Sequence, residues 1–246
     1  MNYLTAVHTD VGIRKKTNQD SALVMEATTD KGNVLLTVVC DGMGGANAGD
    51  IASKTAVEII SQYVVSSYVP TMDADDILKL VENAITSANI EIYDMSKKDE
   101  RLSGMGTTAV VAIVKQNQAY ICNIGDSRAY IIGDSLKQIT RDHSVVQNLV
   151  ESGKLSPEEA RVHPKKNVIT RALGVEDNVL TDVYSIDFSD KDIILLCTDG
   201  LSNYVESKKI FETVKNSALD KITELLICEA NNGGGRDNIT AAVISD

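Results

Sequence analysis

The chain has 246 residues, of which 43% are hydrophobic and 24% charged, and its net charge is −11. This length and composition fit one globular domain with a substantial core. The acidic balance argues against a nucleic-acid partner, since phosphate backbones attract clustered Lys and Arg. The N-terminus lacks a basic stretch followed by a long apolar core, and no apolar run approaches the length of a membrane span. The sequence therefore predicts neither a signal peptide nor membrane insertion.

Cysteine usage predicts the compartment. Four widely spaced cysteines form no C-x-x-C pair: Cys40, Cys122, Cys197 and Cys228. This spacing argues against zinc and disulfide frameworks, and it is typical of buried free thiols in a reducing cytoplasm.

Hydrophobic periodicity separates strands from helices along the chain. Alternating and β-branched runs predict strands over residues 2–9, 20–27, 33–41, 105–115, 118–126, 127–134, 136–140, 179–187, 191–198 and 239–245. Apolar residues at helical spacing predict helices over residues 48–69, 74–95, 206–215 and 218–231. A polar stretch over 141–175 is expected to hold two short helices.

The order of these elements predicts the fold class. Strands at both ends of the chain, with helix pairs between them, favour α+β architecture in which antiparallel sheets are covered by helices. No repeat or linker divides the chain, so residues 1–246 are expected to form one domain. A dinucleotide-binding sheet is excluded by the many hairpin-linked strands and by the absence of G-x-G-x-x-G.

Aspartates recur at the ends of predicted strands. Four share this position, beside a glycine or a small polar residue, and a fifth opens a strand: Asp41, Asp126, Asp199, Asp237 and Asp20. Each one alone is typical of a turn residue whose side chain bonds its own backbone. Strand ends of one sheet lie side by side, however, so the carboxylates are candidates for one cluster.

Converging carboxylates repel one another and are stable only if they are protonated or bridged by cations. All-oxygen ligands favour Mg²⁺ or Mn²⁺ over zinc, and two such ions can support displacement at a phosphoryl group. A bound phosphate also needs a protein cation, which the run Arg14, Lys15 and Lys16 before Asp20 can supply. The alternative for this run is a solvated basic turn.

Eight motifs, in order, resemble the metal-dependent protein phosphatase family, protein phosphatase 2C, and its compact bacterial members in particular. They are GIRKKTNQDS, VVCDGMGG, GMGTT, IGDSRAY, TRDHS, ITRALG, LLCTDGL and GGRDNIT. The resemblance implies a central sandwich of two antiparallel sheets flanked by helix pairs. It also implies hydrolysis of phosphoserine and phosphothreonine on proteins by a hydroxide that bridges two Mn²⁺ or Mg²⁺ ions.

The same resemblance implies a role for each matching residue. Asp41 would bridge both metals, the Gly42 carbonyl would bind one, and Asp199 and Asp237 would hold the other. Asp126 would bind a third, weaker ion. The remaining matches are Asp20 as an acid near the metal waters, Gln19 in a place that is often Glu, Thr107 and Thr108 as positioning residues, and Asn238 as a residue that orients a water.

Two positions depart from the family pattern. The register of the phosphate-binding arginine falls on Lys15, whereas the nearest arginine, Arg14, is one residue early. If this run is a strand, a shift of one residue turns the side chain to the opposite face, which favours Lys15. The histidine that some relatives carry in or after the Asp-Gly motif is replaced by Met43 and Ala46. A metal-bound water or another residue is then expected to protonate the leaving group. His143 is a candidate helper, although a structural role is favoured for it, and no catalytic role is expected for His163.

The expected partners are a Ser/Thr protein kinase and its phosphorylated targets. The protein itself is expected to be a monomer. One alternative within the enzyme class is a stress or sporulation phosphatase that acts on a small regulatory phosphoprotein. A phosphatase-like binding module would lack the metal carboxylates that Asp41, Asp199 and Asp237 supply. A structural metal protein would have no need of the basic run before Asp20.

Overall fold

The protein is a four-layer sandwich in which two antiparallel sheets stack on each other and helix pairs cover their outer faces. The computed structural model describes residues 3–45 and 48–246. This αββα architecture confirms the predicted fold class. Nowhere in those two ranges does a helix combine the length and the apolar character that a membrane span requires.

The first sheet has five strands that lie side by side in chain order, with a short sixth strand, β4 (Gly106–Thr107), paired to the end of β3. The five are β2 (Asp20–Thr29), β3 (Gly32–Met43), β5 (Ala109–Lys115), β6 (Gln118–Ile124) and β9 (Asp182–Asp187). The second sheet also has five strands. They are β1 (Leu4–Asp10), β11 (Ile239–Ser245), β10 (Ile193–Cys197), β7 (Arg128–Ile132) and β8 (Leu136–Gln138).

Strand β3 shows why the sandwich forms. Its run from Val34 to Cys40 is buried throughout, and successive side chains point to opposite faces. Leu36 and Val38 therefore face the helices, while Leu35 and Val39 face the second sheet. Full burial of each such side chain contributes about 1.5–3 kcal/mol, so a strand that is apolar on both faces is stable only between two layers.

Two long helices cover the first sheet and two cover the second. The elements are α1 (Ala48–Ser67), α2 (Ala74–Lys98), α6 (Ser207–Asn216) and α7 (Leu219–Asn232), with the short α3 (Val145–Glu151), α4 (Pro157–Val162), α5 (Asp199–Ser202) and a 3₁₀ turn (Glu100–Leu102) between them. Helix α2 begins with a capping box between Asp73 and Asp76, which satisfies two backbone N–H groups at its start.

Several expectations differ from the observed structure. The predicted strand over 105–115 is interrupted at Thr108, which separates β4 from β5. The Thr108 N–H donates to the Asp41 carbonyl of β3. The residues after β10 form the single helical turn α5 instead of a plain strand end. Cys40, Cys122 and Cys197 are buried as expected, but Cys228 is exposed because it lies on the outer face of α7.

Candidate active site

The predicted aspartates meet at one end of the sandwich because four strands begin or end there. Asp20 opens β2 directly opposite Asp41 of β3. In the second sheet, the residue after β10 donates its N–H to Thr240 of β11 (3.1 Å), which brings the segment of Asp199 beside that of Asp237. Antiparallel pairing within each sheet and stacking between the sheets thus collect carboxylates that are far apart in sequence.

A pocket of about 250 Å³ opens at this end, and we call it the aspartate pocket. Its lining residues are Lys15, Gln19, Asp41, Gly42, Met43, Gly44, Thr108, Asn167, Ile169, Asp126, Asp199 and Asp237. The structure therefore brings together most of the predicted site residues. Asp20 lies buried behind the pocket, and Arg14 is exposed outside it.

Asp41 is held by two threonines at the end of β4, Thr107 within the strand and Thr108 directly after it. The Thr107 hydroxyl donates to the Asp41 carbonyl (2.9 Å), and the Asp41 N–H donates to the Thr108 hydroxyl (2.9 Å). Thr108 in turn shares a hydrogen bond with Ser127 (2.7 Å). Because its backbone is fixed on both sides, Asp41 is a strand residue that presents its carboxylate to the pocket, and the interpretation of it as a turn residue is wrong.

Gly42 sits where no side chain fits. A Cβ on this residue would lie 2.0 Å from the Gly49 carbonyl oxygen and 2.6 Å from the Gln19 carbonyl oxygen. Its N–H donates to the Gln19 carbonyl (3.1 Å). The glycine therefore allows the start of α1 and the loop before β2 to pack against the strand end that carries Asp41.

Asp199 is the first residue of α5, and Asn203 holds it from the next turn. The Asn203 amide donates to Oδ2 of Asp199 (2.9 Å) and lies 3.5 Å from Oδ1 of Asn167. Sequence reasoning missed Asn203. A helical spacing of four residues after the aspartate is the signal that points to it, but the strand-like context concealed the helical turn.

Lys15 forms an ion pair with Asp237, with 2.5 Å between Nζ and Oδ1. Burial lowers the pKa of Lys15, but the bond to Asp237, with Asp41 and Asp199 behind it, raises that pKa overall. Lys15 is therefore charged at neutral pH, and it is the cation that faces the carboxylates.

The preference for Lys15 over Arg14 was based on the alternation of side chains along a strand, and this reason is wrong. Residues 12–14 form a turn, and β2 starts only at Asp20, so strand alternation does not apply to this run. Instead, the N–H groups of Ile13 and Arg14 both donate to the Gly235 carbonyl. That anchoring fixes the loop, so Lys15 reaches into the pocket while Arg14 stays in solvent.

Asp126 lies in the tight turn between β6 and β7, which His143 clamps. The Gly125 N–H donates to Nδ1 of His143 (3.1 Å), and the His143 N–H donates to the Gly125 carbonyl (2.9 Å). Since Nδ1 accepts, the neutral ring carries its proton on Nε2, which lies 3.3 Å from the Asp182 carboxylate. Burial lowers the pKa of His143. His143 thus has the structural position that the sequence predicted, outside the pocket lining.

Asp20 is buried, and no residue within 3–45 and 48–246 forms an ion pair with it. Its Oδ2 accepts hydrogen bonds from Thr198 (2.9 Å) and Thr240 (2.7 Å), while its Oδ1 is buried and finds no hydrogen-bond partner in the described residues. Burial raises the pKa of Asp20 to about 7, although the two threonine hydroxyls lower it and Asp199 and Asp237 raise it further.

The other carboxylates respond in the same direction. Burial raises the pKa of Asp41 well above its usual range, and Asp20 and Asp199 add to that shift. Burial and then Asp237 raise the pKa of Asp199 to about 6, against Arg128 and Lys15, which lower it. The pKa of Asp126 is raised by burial and by Asp199. The site thus holds more negative charge than its own cations offset.

These residues fit divalent cations. The side chains and backbone that line the pocket offer oxygen ligands, without His or Cys among them, and an all-oxygen set suits Mg²⁺ or Mn²⁺. Within residues 3–45 and 48–246, no three His, Cys, Asp or Glu side chains form a cage that would hold one ion alone. Such ions keep several waters and need only one or two carboxylates each, so an open, shared arrangement is consistent with them.

Two further residues of the sequence motifs, Asn238 and Met43, lie at or beside the aspartate pocket. The Asn238 amide donates to the carbonyls of Val11 and Thr17, and its Oδ1 accepts from the Gln19 N–H. It therefore binds the loop that carries Lys15, and both of its amide hydrogens are used in holding that loop. Met43 lines the pocket mouth, and Ala46, the other position without a histidine, lies outside the described residues.

Comparison with known proteins agrees with this geometry. The family model for protein phosphatase 2C matches residues 12–233. The serine/threonine phosphatase stp of Listeria monocytogenes is 40% identical over 238 residues, which cover 96% of this chain and 93% of that protein. Protein phosphatase PhpP of Streptococcus pneumoniae is 37% identical over 239 residues and covers 96% and 95%.

Solved structures give the same result. The serine/threonine phosphatase Stp1 of Staphylococcus aureus has a TM-score of 0.91 at 31% identity and covers 100% of this chain and 96% of its own. The catalytic domain of PstP in complex with two manganese ions has a TM-score of 0.85 at 31% identity and covers 99% and 97%. The chain belongs to the protein phosphatase 2C family, a class of metal-dependent phosphoprotein phosphatases, which confirms the resemblance seen in the sequence.

The raised pKa of Asp20 predicts how stability depends on pH. In the metal-free protein, a carboxyl whose folded pKa exceeds its unfolded value stabilises the fold below the unfolded pKa and loses that contribution as pH rises through the folded pKa. Asp20→Asn cannot ionise, so in EDTA we expect its free energy of unfolding to exceed that of the wild type by roughly 1–3 kcal/mol at about pH 8, and by little at about pH 4.

Urea unfolding at these two pH values measures the difference. Asp190→Asn is the matched control, since Asp190 is exposed on a turn and its replacement should change stability little at either pH. An Asp20→Asn variant that is equally destabilised at both pH values would contradict the prediction.

Proposed function

We propose that the protein hydrolyses phosphoserine and phosphothreonine on other proteins, with two divalent ions, Mn²⁺ or Mg²⁺, held in the aspartate pocket. The observation that carries this proposal is the convergence of Asp41, Asp126, Asp199 and Asp237 with a cation, Lys15, in one open pocket. Family membership supports it, as do the manganese ions bound by the related PstP catalytic domain.

Each residue has a proposed role in holding the ions. Asp41 would be shared between both, the Gly42 carbonyl would bind one, and Asp199 and Asp237 would bind the other. Asp126 can bind a third, weaker ion together with Asp199. The Asp20 carboxylate would lie behind them and accept hydrogen bonds from their waters. When bound, divalent ions supply a nucleophile from water near neutral pH and offset charge on the transferring phosphoryl group.

The protein's own groups bind and orient the substrate. Lys15 offers a compact positive charge to a phosphate oxygen, without the bidentate geometry of an arginine. Binding of phosphate and ions would release Lys15 from Asp237. The phosphate would then be the anionic partner of Lys15, and Asp237 would be a partner of the metal. Since the residues that line the pocket include no histidine, a water is the proposed source of the proton that the leaving serine or threonine oxygen takes.

The proposed function extends to the domain organisation, the oligomeric state, the compartment and the partners of the protein. We propose that residues 1–246 act as one catalytic domain, that the protein acts as a monomer in the cytoplasm, and that its partners are a Ser/Thr protein kinase and the proteins that the kinase phosphorylates. The high coverage of the related phosphatases supports the single domain. A binding module without catalysis is the alternative, and the intact carboxylate cluster argues against it.

Phosphate release from a phosphothreonine peptide tests the proposed activity. We expect release that requires Mn²⁺ and that falls at least roughly a hundredfold in Asp41→Asn, because loss of even an outer partner of a metal ligand costs about 10–100-fold. Asp190→Asn is the control and should keep full activity. Metal-independent release, or an active Asp41→Asn variant, would contradict the site.

Steady-state kinetics of Lys15→Ala and Arg14→Ala test the phosphate ligand. Loss of one charge-assisted contact is worth about 1.5–3 kcal/mol, so we expect Lys15→Ala to raise KM for the peptide roughly tenfold or more. Arg14→Ala is the matched control in the same loop and should change KM by less than about twofold, as expected of an exposed surface side chain. A rise in KM only in Arg14→Ala would assign the phosphate to Arg14.

A further inference from the structure

A cavity of about 620 Å³ adjoins the aspartate pocket and has no part in the proposed chemistry. We call it the apolar cavity. Its lining is mainly aliphatic, with Met43, Ile124, Ile169, Val175, Val179 and Leu180 among the residues. Sequence reasoning did not find it, because β3, β6 and the segment 169–180 contribute to it from distant parts of the chain.

The two cavities are adjacent. Met43 and Ile169 line both the aspartate pocket and the apolar cavity. A molecule whose phosphate group lies among the aspartates therefore has its neighbouring atoms close to the apolar cavity. In a polypeptide, consecutive residues are spaced about 3.3 Å apart when extended, so a side chain within a few residues of the phosphorylated one reaches this cavity.

The rim of the cavity exposes aliphatic surface to solvent. Leu180 is 74% exposed and Val175 is 48% exposed. Exposed apolar side chains around a cavity that adjoins a polar site are typical of a binding surface. Covering them with an apolar group removes that surface from water, which is favourable.

The cavity wall is preformed. Asn89 of α2 is fully buried, accepts a hydrogen bond from the Gly174 N–H (2.8 Å) and donates to the carbonyls of Glu176 (3.0 Å) and Asp177 (3.2 Å). One side chain thus satisfies three backbone groups of the segment that carries Val175. A wall that is already ordered loses little entropy when a ligand binds.

The wall is also connected to Asp41. Leu173 pairs with Thr107 through two backbone hydrogen bonds, Thr107 N–H to Leu173 (3.1 Å) and Leu173 N–H to Thr107 (2.9 Å), and the Thr107 hydroxyl donates to the Asp41 carbonyl. The distance from the cavity to the reacting phosphate is therefore fixed by the fold. Such a fixed distance selects one position in a bound peptide.

The charges at the cavity favour an apolar occupant. Arg171, which lies in the wall, is paired with Asp182 (2.9 Å), so its charge is already offset. Glu176 lies at the exposed rim and would repel an acidic side chain. An aliphatic or aromatic side chain meets neither an unpaired charge nor a clash of like charges.

We propose that the apolar cavity binds an apolar side chain of the phosphoprotein substrate, one to three residues from the phosphorylated serine or threonine, and so selects substrates by sequence. This inference rests on the proposed phosphatase function and names a determinant of its specificity.

Phosphothreonine peptides that carry Leu, Ala or Asp at each flanking position test the inference, with Mn²⁺ present and kcat/KM as the readout. We expect Leu to exceed Asp by about tenfold or more at one position, as burial of a leucine side chain implies. In Leu180→Asp, this Leu-over-Asp ratio should fall toward one, and a peptide with Lys at that position should become the better substrate.

The kcat/KM for p-nitrophenyl phosphate, which has no flanking residues, normalises every peptide value and separates docking from chemistry. Leu225→Asp is the matched control, since Leu225 is 42% exposed on α7, in the opposite outer layer. Its peptide preference should equal that of the wild type.

The inference is overturned if the wild type shows no preference at any position, or if Leu180→Asp keeps the wild-type preference. A wild-type dimer in solution that Leu180→Asp dissociates while the preference persists would assign the surface to a second copy, which also overturns it. A wild type that cleaves p-nitrophenyl phosphate but no phosphopeptide would instead refute the proposed function itself.

Discussion

Mutual repulsion among carboxylates at one end of the sandwich is the constraint on which the rest of the structure depends. Asp41, Asp126, Asp199 and Asp237 share one pocket, and Asp20 lies behind it with one carboxylate oxygen unpartnered in the part of the chain that the structure describes. Among these carboxylates, Asp237 forms an ion pair with Lys15. The raised pKa values of Asp20 and Asp199 follow from burial and from this crowding. Divalent ions would relieve the repulsion, so the instability of the metal-free site and its affinity for metal have the same cause.

The scaffold keeps these groups close despite their repulsion. Each carboxylate stands on an ordered backbone: Asp41 between Thr107 and Thr108, Asp126 on a turn that His143 clamps, and Asp199 at the start of a helical turn that Asn203 closes. The central strands, such as β3, β5 and β11, are buried on both faces. The cost of the site is therefore offset by apolar packing in the three cores between the layers. The same hydrogen bonds connect Asp41 to the wall of the apolar cavity, so the geometry of the metal site and the proposed substrate selection share one framework.

The sequence predicted the layers and most of the site because both depend on residues that are close together in the chain. Apolar runs marked strands such as β3, and Asp-Gly motifs after such runs marked Asp41 and Asp199. What it missed depends on tertiary contacts. Asn203 gains its role only because α5 forms a helical turn, and the course of the Lys15 loop is set by bonds to the distant Gly235. Asn238 matched a motif, but its amide binds backbone groups of residues more than two hundred positions away. The apolar cavity has no local signature, since three separate segments line it.

The most direct test of this account is the stability of the protein with and without Mn²⁺ at two pH values. Metal binds deprotonated carboxylates, and without metal those carboxylates destabilise the fold as pH rises through their raised pKa values. We therefore expect unfolding free energy in EDTA to fall between about pH 5 and about pH 8, and saturating Mn²⁺ to stabilise the protein by more at the higher pH. In Asp41→Asn, the stabilisation by Mn²⁺ should be largely lost. Equal stabilisation of wild type and Asp41→Asn, or a Mn²⁺ effect that does not change with pH, would contradict the central claim.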